Sequence, residues 1–254
     1  MRKKEIFAFM TLLAVLSMNM IASSMAFALD IYPVEDASTE AKWEIIHAPE
    51  SAFSMYFTGA GNCLINSGSN LSFFVSDINE DVSGLLNVGN VSIMVNDTDV
   101  ARDLVLGVGI FSPFEPGLFV KAGASNIDVL NESAYAAAAR VSGNFMNGTM
   151  ISKYENVTIG ETEYEVITFD YEQDTPFSGD PQRTRLTYDI TSGILLYANT
   201  SYWFGEGFES YWLEIGFLEI THDGDYRIPV ELYLILIISF TVILLIVVIV
   251  RQRK

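Results

Sequence analysis

The chain has almost nothing with which to crosslink or chelate. One cysteine, Cys63, and two histidines, His47 and His222, occur in 254 residues. A single cysteine excludes an intramolecular disulfide, so the fold must be held by its core. Cys63 lies far from the N-terminus and cannot be the lipid-bearing cysteine of a lipoprotein; flanked by Gly61 and Leu64, it reads as a small apolar residue. The two histidines are far apart, with no His-x-His or His-Glu-x-x-His arrangement, so neither zinc nor non-haem iron is expected.

Basic residues are also scarce, 14 against 32 carboxylates, for a net charge of −18. Setting aside Glu5, Glu231 and the three basic residues at each end leaves 30 carboxylates against 8 cations between Leu29 and Pro229, about −22. Such a surface repels nucleic acid and anionic lipid, and it favours cations, basic partners or plain solubility. Catalytic signatures are missing as well. No Gly-x-Ser-x-Gly occurs, and Gly59-Ala60-Gly61, Gly107-Val108-Gly109 and Gly205-Glu206-Gly207 never extend to a third properly spaced glycine, which leaves no nucleotide fingerprint. Neither an enzyme nor a bound cofactor is expected.

What the chain does have in quantity is apolar sequence at its two ends. Met1, Arg2, Lys3 and Lys4 precede an apolar run from Ile6 to about Leu16, and the triplet Ala26-Phe27-Ala28 supplies small residues for cleavage. This is the layout of a secretory signal, expected to leave Leu29 as the first mature residue. Leu232 to Val250 carries no charge, and its 19 residues reach roughly 28 Å as a helix. A buried core helix would show a polar face, and this one has none. Arg251, Arg253 and Lys254 follow directly and place the tail in the cytoplasm, with the preceding domain outside. The expected organisation is a signal peptide (1–28), an outer domain (29–229), a membrane helix (230–250) and a cytoplasmic tail (251–254).

Asparagine is used in a telling way. Acceptor sites for N-glycosylation occur at Asn70, Asn90, Asn96, Asn131, Asn147, Asn156 and Asn199, seven of the 13 asparagines in the outer domain, where chance would give about two. A secreted glycoprotein is expected. Asn131 falls in a predicted helix near its buried face, which works against modification there. Many acceptor sites, no disulfide and a short basic tail together look more like an archaeal surface protein than an animal receptor.

Hydrophobic periodicity predicts an α+β domain: an antiparallel β-meander with one or two packed helices, followed by the C-terminal transmembrane helix. Asp30 to Glu50, acidic and containing Pro33 and Pro49, reads as an entry segment. Short β-branched and aromatic runs predict strands at Phe53 to Thr58, Asn70 to Ile78 and Asn90 to Val95. Asp97 or Thr98 is expected to cap a helix from Asp99 to Leu106. A second helix over Asn126 to Arg140 aligns Ile127, Leu130, Ala134, Ala138 and Val141 on one face, with Gly143 ending it. Strands then follow at Met150 to Ile159, Glu163 to Tyr171, Arg183 to Asp189, Ile194 to Trp203 and Phe208 to Ile220, joined by Gly- and Pro-containing turns.

The hairpin Tyr188-Asp189-Ile190-Thr191-Ser192-Gly193-Ile194-Leu195-Leu196 resembles one found in membrane-anchored archaeal surface proteins of unknown function. It is also similar to a hairpin of curved-sheet lipoprotein carriers of the LolA type. The resemblance covers about a tenth of the outer domain and brings no functional residue with it.

Four features remain as candidate sites. Tyr202, Trp203, Phe204, Phe208, Tyr211 and Trp212 crowd a hairpin tip around Gly205 to Gly207, and strand alternation must turn some of them outward. The loop from Phe111 to Phe119 holds three phenylalanines. Asp77, Asn79 and Asp81 have the alternate spacing of a calcium loop, but Val82 and Val88 stand where its glycine and bidentate glutamate belong. Glu161, Glu163 and Glu165 share one strand face, with Lys153 and Glu155 expected opposite, which is more often a wet face than a carboxylate pair for hydrolysis. The expected function is a non-enzymatic, membrane-anchored surface glycoprotein with a protein, glycan or lipid partner outside the cell and no nucleic acid. The alternatives are a carrier of hydrophobic ligands and, further off, an extracellular enzyme.

Overall fold

A computed structural model describes residues 39–222 apart from 80, 110–113, 141–146 and 177. The expected signal peptide, membrane helix and tail lie outside these residues. Among the described residues no helix is long and apolar enough to cross a membrane.

The domain is α+β. Its strands are β1 (Thr39–His47), β2 (Phe53–Met55), β3 (Gly61–Cys63), β4 (Asn70–Ile78), β5 (Val82–Val88), β6 (Val91–Asn96), β7 (Gly148–Ile159), β8 (Thr162–Gln173), β9 (Asp180–Asp189), β10 (Leu195–Trp203) and β11 (Tyr211–His222). Two helices, α1 (Asp97–Asp103) and α2 (Ala124–Ala138), sit between β6 and β7. Nine strands form one sheet in the order β6-β5-β4-β1-β11-β10-β9-β8-β7, while β2 and β3 pair separately. The sheet is thus two antiparallel meanders, β4 to β6 and β7 to β11, joined through β1.

The segment expected as an entry to the domain is instead central. β1 lies between β4 and β11, and its alternate residues Ala41, Trp43 and Ile45 are fully buried. The interposed Glu40 and Glu44 gave the segment its acidic look, yet together with Lys42 they occupy only the outer face of a strict two-residue alternation. β5 was not foreseen either. Gly84 interrupts its apolar run, although Val82, Leu86 and Val88 are buried. The expected strand at Phe53 to Thr58 shortens to β2, because Asp103 accepts the amide hydrogens of Phe57 and Thr58 at 2.9 and 3.1 Å and turns the chain. α1 is capped not by Asp97 or Thr98 but by Asn96, whose Oδ1 accepts from the Asp99 amide at 2.7 Å. α2 presents Ile127, Ala134 and Ala138 to the core as expected, with Leu130 partly buried; Val141 and Gly143 lie outside the described residues.

The core fills the layer between the sheet and the helices. Phe119 wedges edge-on between Trp43 and Phe73, at 5.9 and 5.7 Å, and Trp43 donates from Nε1 to the Leu195 carbonyl at 2.6 Å. The Tyr188 to Leu196 hairpin is the dock for the long connection into α2. Phe119 bridges Ile194, Val120 and Gly193 are joined through a 2.8 Å backbone bond, and the Gly123 amide reaches the Ile190 carbonyl at 2.9 Å. Gly193 has φ +67°, and a Cβ there would run into the Val120 carbonyl. Buried Asp97 ties the same connection to α1 by accepting from the amides of Leu118 and Phe119 at 2.7 and 2.9 Å. Phe114 and Phe119 of the three-phenylalanine loop are therefore core and not a binding surface, while Phe111 lies outside the described residues.

Candidate functional site

Strand alternation gives the sheet two unlike faces. On β9, Gln182, Thr184, Leu186 and Tyr188 turn toward the helices, and Arg183 and Arg185 turn outward. Register carries this outward set across the neighbouring strands. Asp170 and Glu172 of β8 stand opposite Arg185 and Arg183, and Asn199 and Ser201 of β10 stand opposite the same two arginines from the other side. Trp212 of β11 pairs with Ser201, and Glu214 with Asn199.

Apart from Glu214, this outward set lines an open groove of about 1120 Å³ along the outer face of β7 to β11. Its floor is a hydrogen-bonded ladder. Arg185 grips both oxygens of Asp170, at 2.6 and 3.2 Å, and Arg183 reaches Glu172 at 3.3 Å. The Tyr197 hydroxyl donates to Glu214 at 2.8 Å and accepts from Asn199 Nδ2 at 3.3 Å. All four ion-pair partners are more than 40% exposed, so the pairs add little stability. Their effect is to hold planar donors and acceptors in fixed places. Asp170 raises the pKa of Arg185 through its hydrogen bonds, and burial together with the bond to Glu214 raises that of Tyr197, so both keep their protons.

One wall is aromatic. The indole of Trp212, 43% exposed, lies stacked on the imidazole of His47 with ring centroids 3.6 Å apart. The six tip aromatics thus divide three ways. Tyr202 and Tyr211 face inward, stacked on each other at 4.9 Å, with Phe53 edge-on against Tyr211; burial pushes the Tyr202 hydroxyl up to about 12 and the Tyr211 hydroxyl well above its usual range. Phe204 and Phe208 form an exposed pair at the turn, 5.9 Å apart, and Trp203 donates to the Phe208 carbonyl at 2.9 Å. Of the six, Trp203 and Trp212 line the groove together with Tyr202 and Tyr211, whereas Phe204 and Phe208 do not.

The remaining candidates fall elsewhere. Asn79 donates from Nδ2 to Asp77 at 2.5 Å and from its backbone amide to the Asp81 carbonyl at 3.1 Å, and among the described residues no group of three or more acidic, histidine or cysteine side chains is arranged to hold a metal. Lys153 and Glu155 do not stand opposite the β8 glutamates. The two-residue turn at Gly160 and Glu161 fixes a register in which they face Thr168 and Val166, while Glu163 and Glu165 face Thr158 and Asn156. Cys63 is buried, with its thiol pushed up to about 11 by burial and directed at the Val88 carbonyl, as suits a packing residue.

Of the acceptor asparagines, Asn70, Asn90 and Asn156 are exposed, and Asn96, Asn131 and Asn199 are half-buried. Asn147 is buried. The Oδ1 atom of Asn131 is buried without a hydrogen-bond partner, and Asn199 sits on the groove floor.

Fold and groove together define an antiparallel sheet covered by helices on one face and open, polar and aromatic on the other. No protein-family model, curated protein or solved structure matches the chain.

Proposed function

We propose that this chain is a non-enzymatic surface glycoprotein, tethered by the apolar stretch Leu232 to Val250, whose outer domain binds an extended, uncharged saccharide along the groove. The observation that carries the proposal is the placement of the Trp212–His47 stack beside a ladder of arginines that are already neutralised by their own carboxylates. A flat indole suits the C–H face of a sugar ring, and fixed guanidinium and carboxylate groups suit its hydroxyls.

Charge narrows the choice of ligand. Five carboxylates line the groove (Glu50, Asp170, Glu172, Asp174 and Asp180) against the guanidiniums of Arg183 and Arg185. A polyanion is repelled, and among the described lining residues both arginines already have a carboxylate partner. The groove is open along its length, which fits a chain better than a small molecule that needs enclosure. A lipid carrier would need an apolar cavity under the helices. That layer is filled by Trp43, Phe73 and Phe119, and the recess beside α1 measures about 120 Å³. The archaeal character suggested by the layout belongs to the same proposal.

Calorimetric titration of the full chain in lipid nanodiscs tests it, with linear neutral hexose oligomers, a sulfated oligosaccharide and an oligolysine peptide as the three probes. Saturable binding of the neutral oligomer, lost in Trp212→Ala, is the expected result. Binding of the peptide alone would replace the saccharide with a cationic partner and overturn the assignment.

A further inference from the structure

Among the described residues the nine-stranded sheet has two open edges, β6 and β7, since every other strand in it is paired on both sides. The acceptor asparagines concentrate there. Asn90 immediately precedes β6 and Asn96 is its last residue; Asn147 immediately precedes β7 and Asn156 lies within it. β1, β5, β8, β9 and β11 contain no acceptor site.

An open edge is a template for pairing with another chain, and β7, at 12 residues, is roughly 40 Å long. Both edges carry exposed apolar side chains, Met94 on β6 and Ile151 and Tyr154 on β7. The protein guards one point of β7 itself, where the hydroxyl of Tyr135 from α2 accepts the outward amide of Ser152 at 3.0 Å. Hydrogen-bonding groups alternate sides along a strand, so the amides of Tyr154, Asn156 and Thr158 turn outward with that of Ser152. Near the far end of this row sits Asn156.

The side chains are compatible with carbohydrate. Asn90 and Asn96 use Oδ1 for structure, accepting from the amides of Leu64 and Asp99, each at 2.7 Å. A glycan attaches through Nδ2 and leaves those bonds intact. Asn90 and Asn156 each donate one Nδ2 hydrogen, to the Asn62 carbonyl and to Glu163, and a substituted amide keeps one hydrogen for that purpose. Buried Asn147 has no such freedom.

We infer that carbohydrate on Asn90, Asn96 and Asn156 guards the two edges of the sheet, keeping them from pairing with a second copy of the chain. The inference rests on the glycoprotein reading and is independent of what the groove binds. Its test removes acceptor sites at their third residue, Ser92→Ala, Thr98→Ala and Thr158→Ala together, so that every structural asparagine stays in place. The control removes two sites away from the edges, Ser72→Ala with Ser201→Ala.

Intact mass of the full chain from a glycosylating host is measured first, and absence of glycan at the three edge sites would overturn the glycoprotein reading and this inference with it. With glycan present, analytical ultracentrifugation in nanodiscs loaded with one chain each should show the edge variant associating at a concentration at least tenfold below that of the wild type and the control. Adding Met94→Lys and Ile151→Lys, which charge the edges without sugar, should restore the wild-type behaviour. An edge variant that stays as dispersed as wild type, a control that associates equally, or a failure of the lysines to reverse association would each overturn the inference while leaving the glycosylation itself standing.

Discussion

The imidazole of His47 lies nearly parallel to the indole of Trp212, their planes 25° apart and their centroids 3.6 Å apart. One ring comes from the last residue of β1 and the other from the second residue of β11, so the stack ties the start of the domain to its final strand. Stacked aromatic pairs contribute about 0.5 to 1.5 kcal/mol beyond burial. Trp212→Ala should therefore lower unfolding free energy by about 1 kcal/mol, leaving the fold intact, while weakening saccharide binding at least tenfold, or about 1.4 kcal/mol. Denaturant titration and calorimetry on the same sample separate the two effects. His47→Ala should reproduce the stability loss with a smaller loss of binding.

The hairpin tip divides into residues that hold the fold and residues that do not. Phe208 is 63% exposed, so Phe208→Ala should change stability by less than about 0.5 kcal/mol. Tyr211 is buried, stacked on Tyr202 and bonded to the Leu104 carbonyl at 3.2 Å, so Tyr211→Ala should cost about 3 to 5 kcal/mol. Trp203→Ala falls between, at about 1 to 2 kcal/mol, through its lost bond to the Phe208 carbonyl and partial packing. Midpoints of thermal unfolding in that order support the assignment of faces. Equal losses at Phe208 and Tyr211 would contradict it.

Asp97 gives the domain a distinctive pH dependence. Burial pushes its carboxyl up to about 7, against the pull of the two amide donors, while its ordinary value is 3.8. Between those values the folded state holds a proton that the unfolded chain releases. Stability from this group is full below about pH 4, falls as pH rises to about 7 and is level beyond, by at most about 4 kcal/mol at 1.36 kcal/mol per unit. Asp97→Asn keeps an acceptor for one amide and removes the titration. The difference in unfolding free energy between wild type and variant, followed from pH 4 to 8, should carry this slope; a flat difference would show that Asp97 is ionised in the fold throughout.

The strands that could be read from sequence were those whose alternation ran between clear brackets. β4 was expected at Asn70 to Ile78 and lies there, because Gly68 and Ser69 precede it and buried Leu71, Phe73 and Val75 alternate within it. β1 obeys the same alternation, but its outward carboxylates and nearby prolines lend it the composition of a linker. Gly84 concealed β5. The reason it must be glycine is tertiary, since a Cβ would meet the Phe74 backbone and the Phe73 ring. Similar reasoning applies to the site. Alternation alone separates Trp212 from Tyr211, so an outward aromatic was legible. The ladder was not, because pairing Arg185 with Asp170 needs the register of β8 on β9, which depends on the length of a Pro- and Gly-containing connection that no local signal specifies.

Ligand is expected to occupy the outer face of β9 to β11, and hydroxyl-radical footprinting of the full chain, with and without a saturating neutral hexose oligomer, reads that placement. Trp212, His47 and Tyr197 should lose reactivity at least severalfold on binding. Phe57 and Met94, similarly exposed but outside the groove, should not change. Protection confined to Phe204 and Phe208, or no protection at Trp212 under saturating ligand, would contradict that placement.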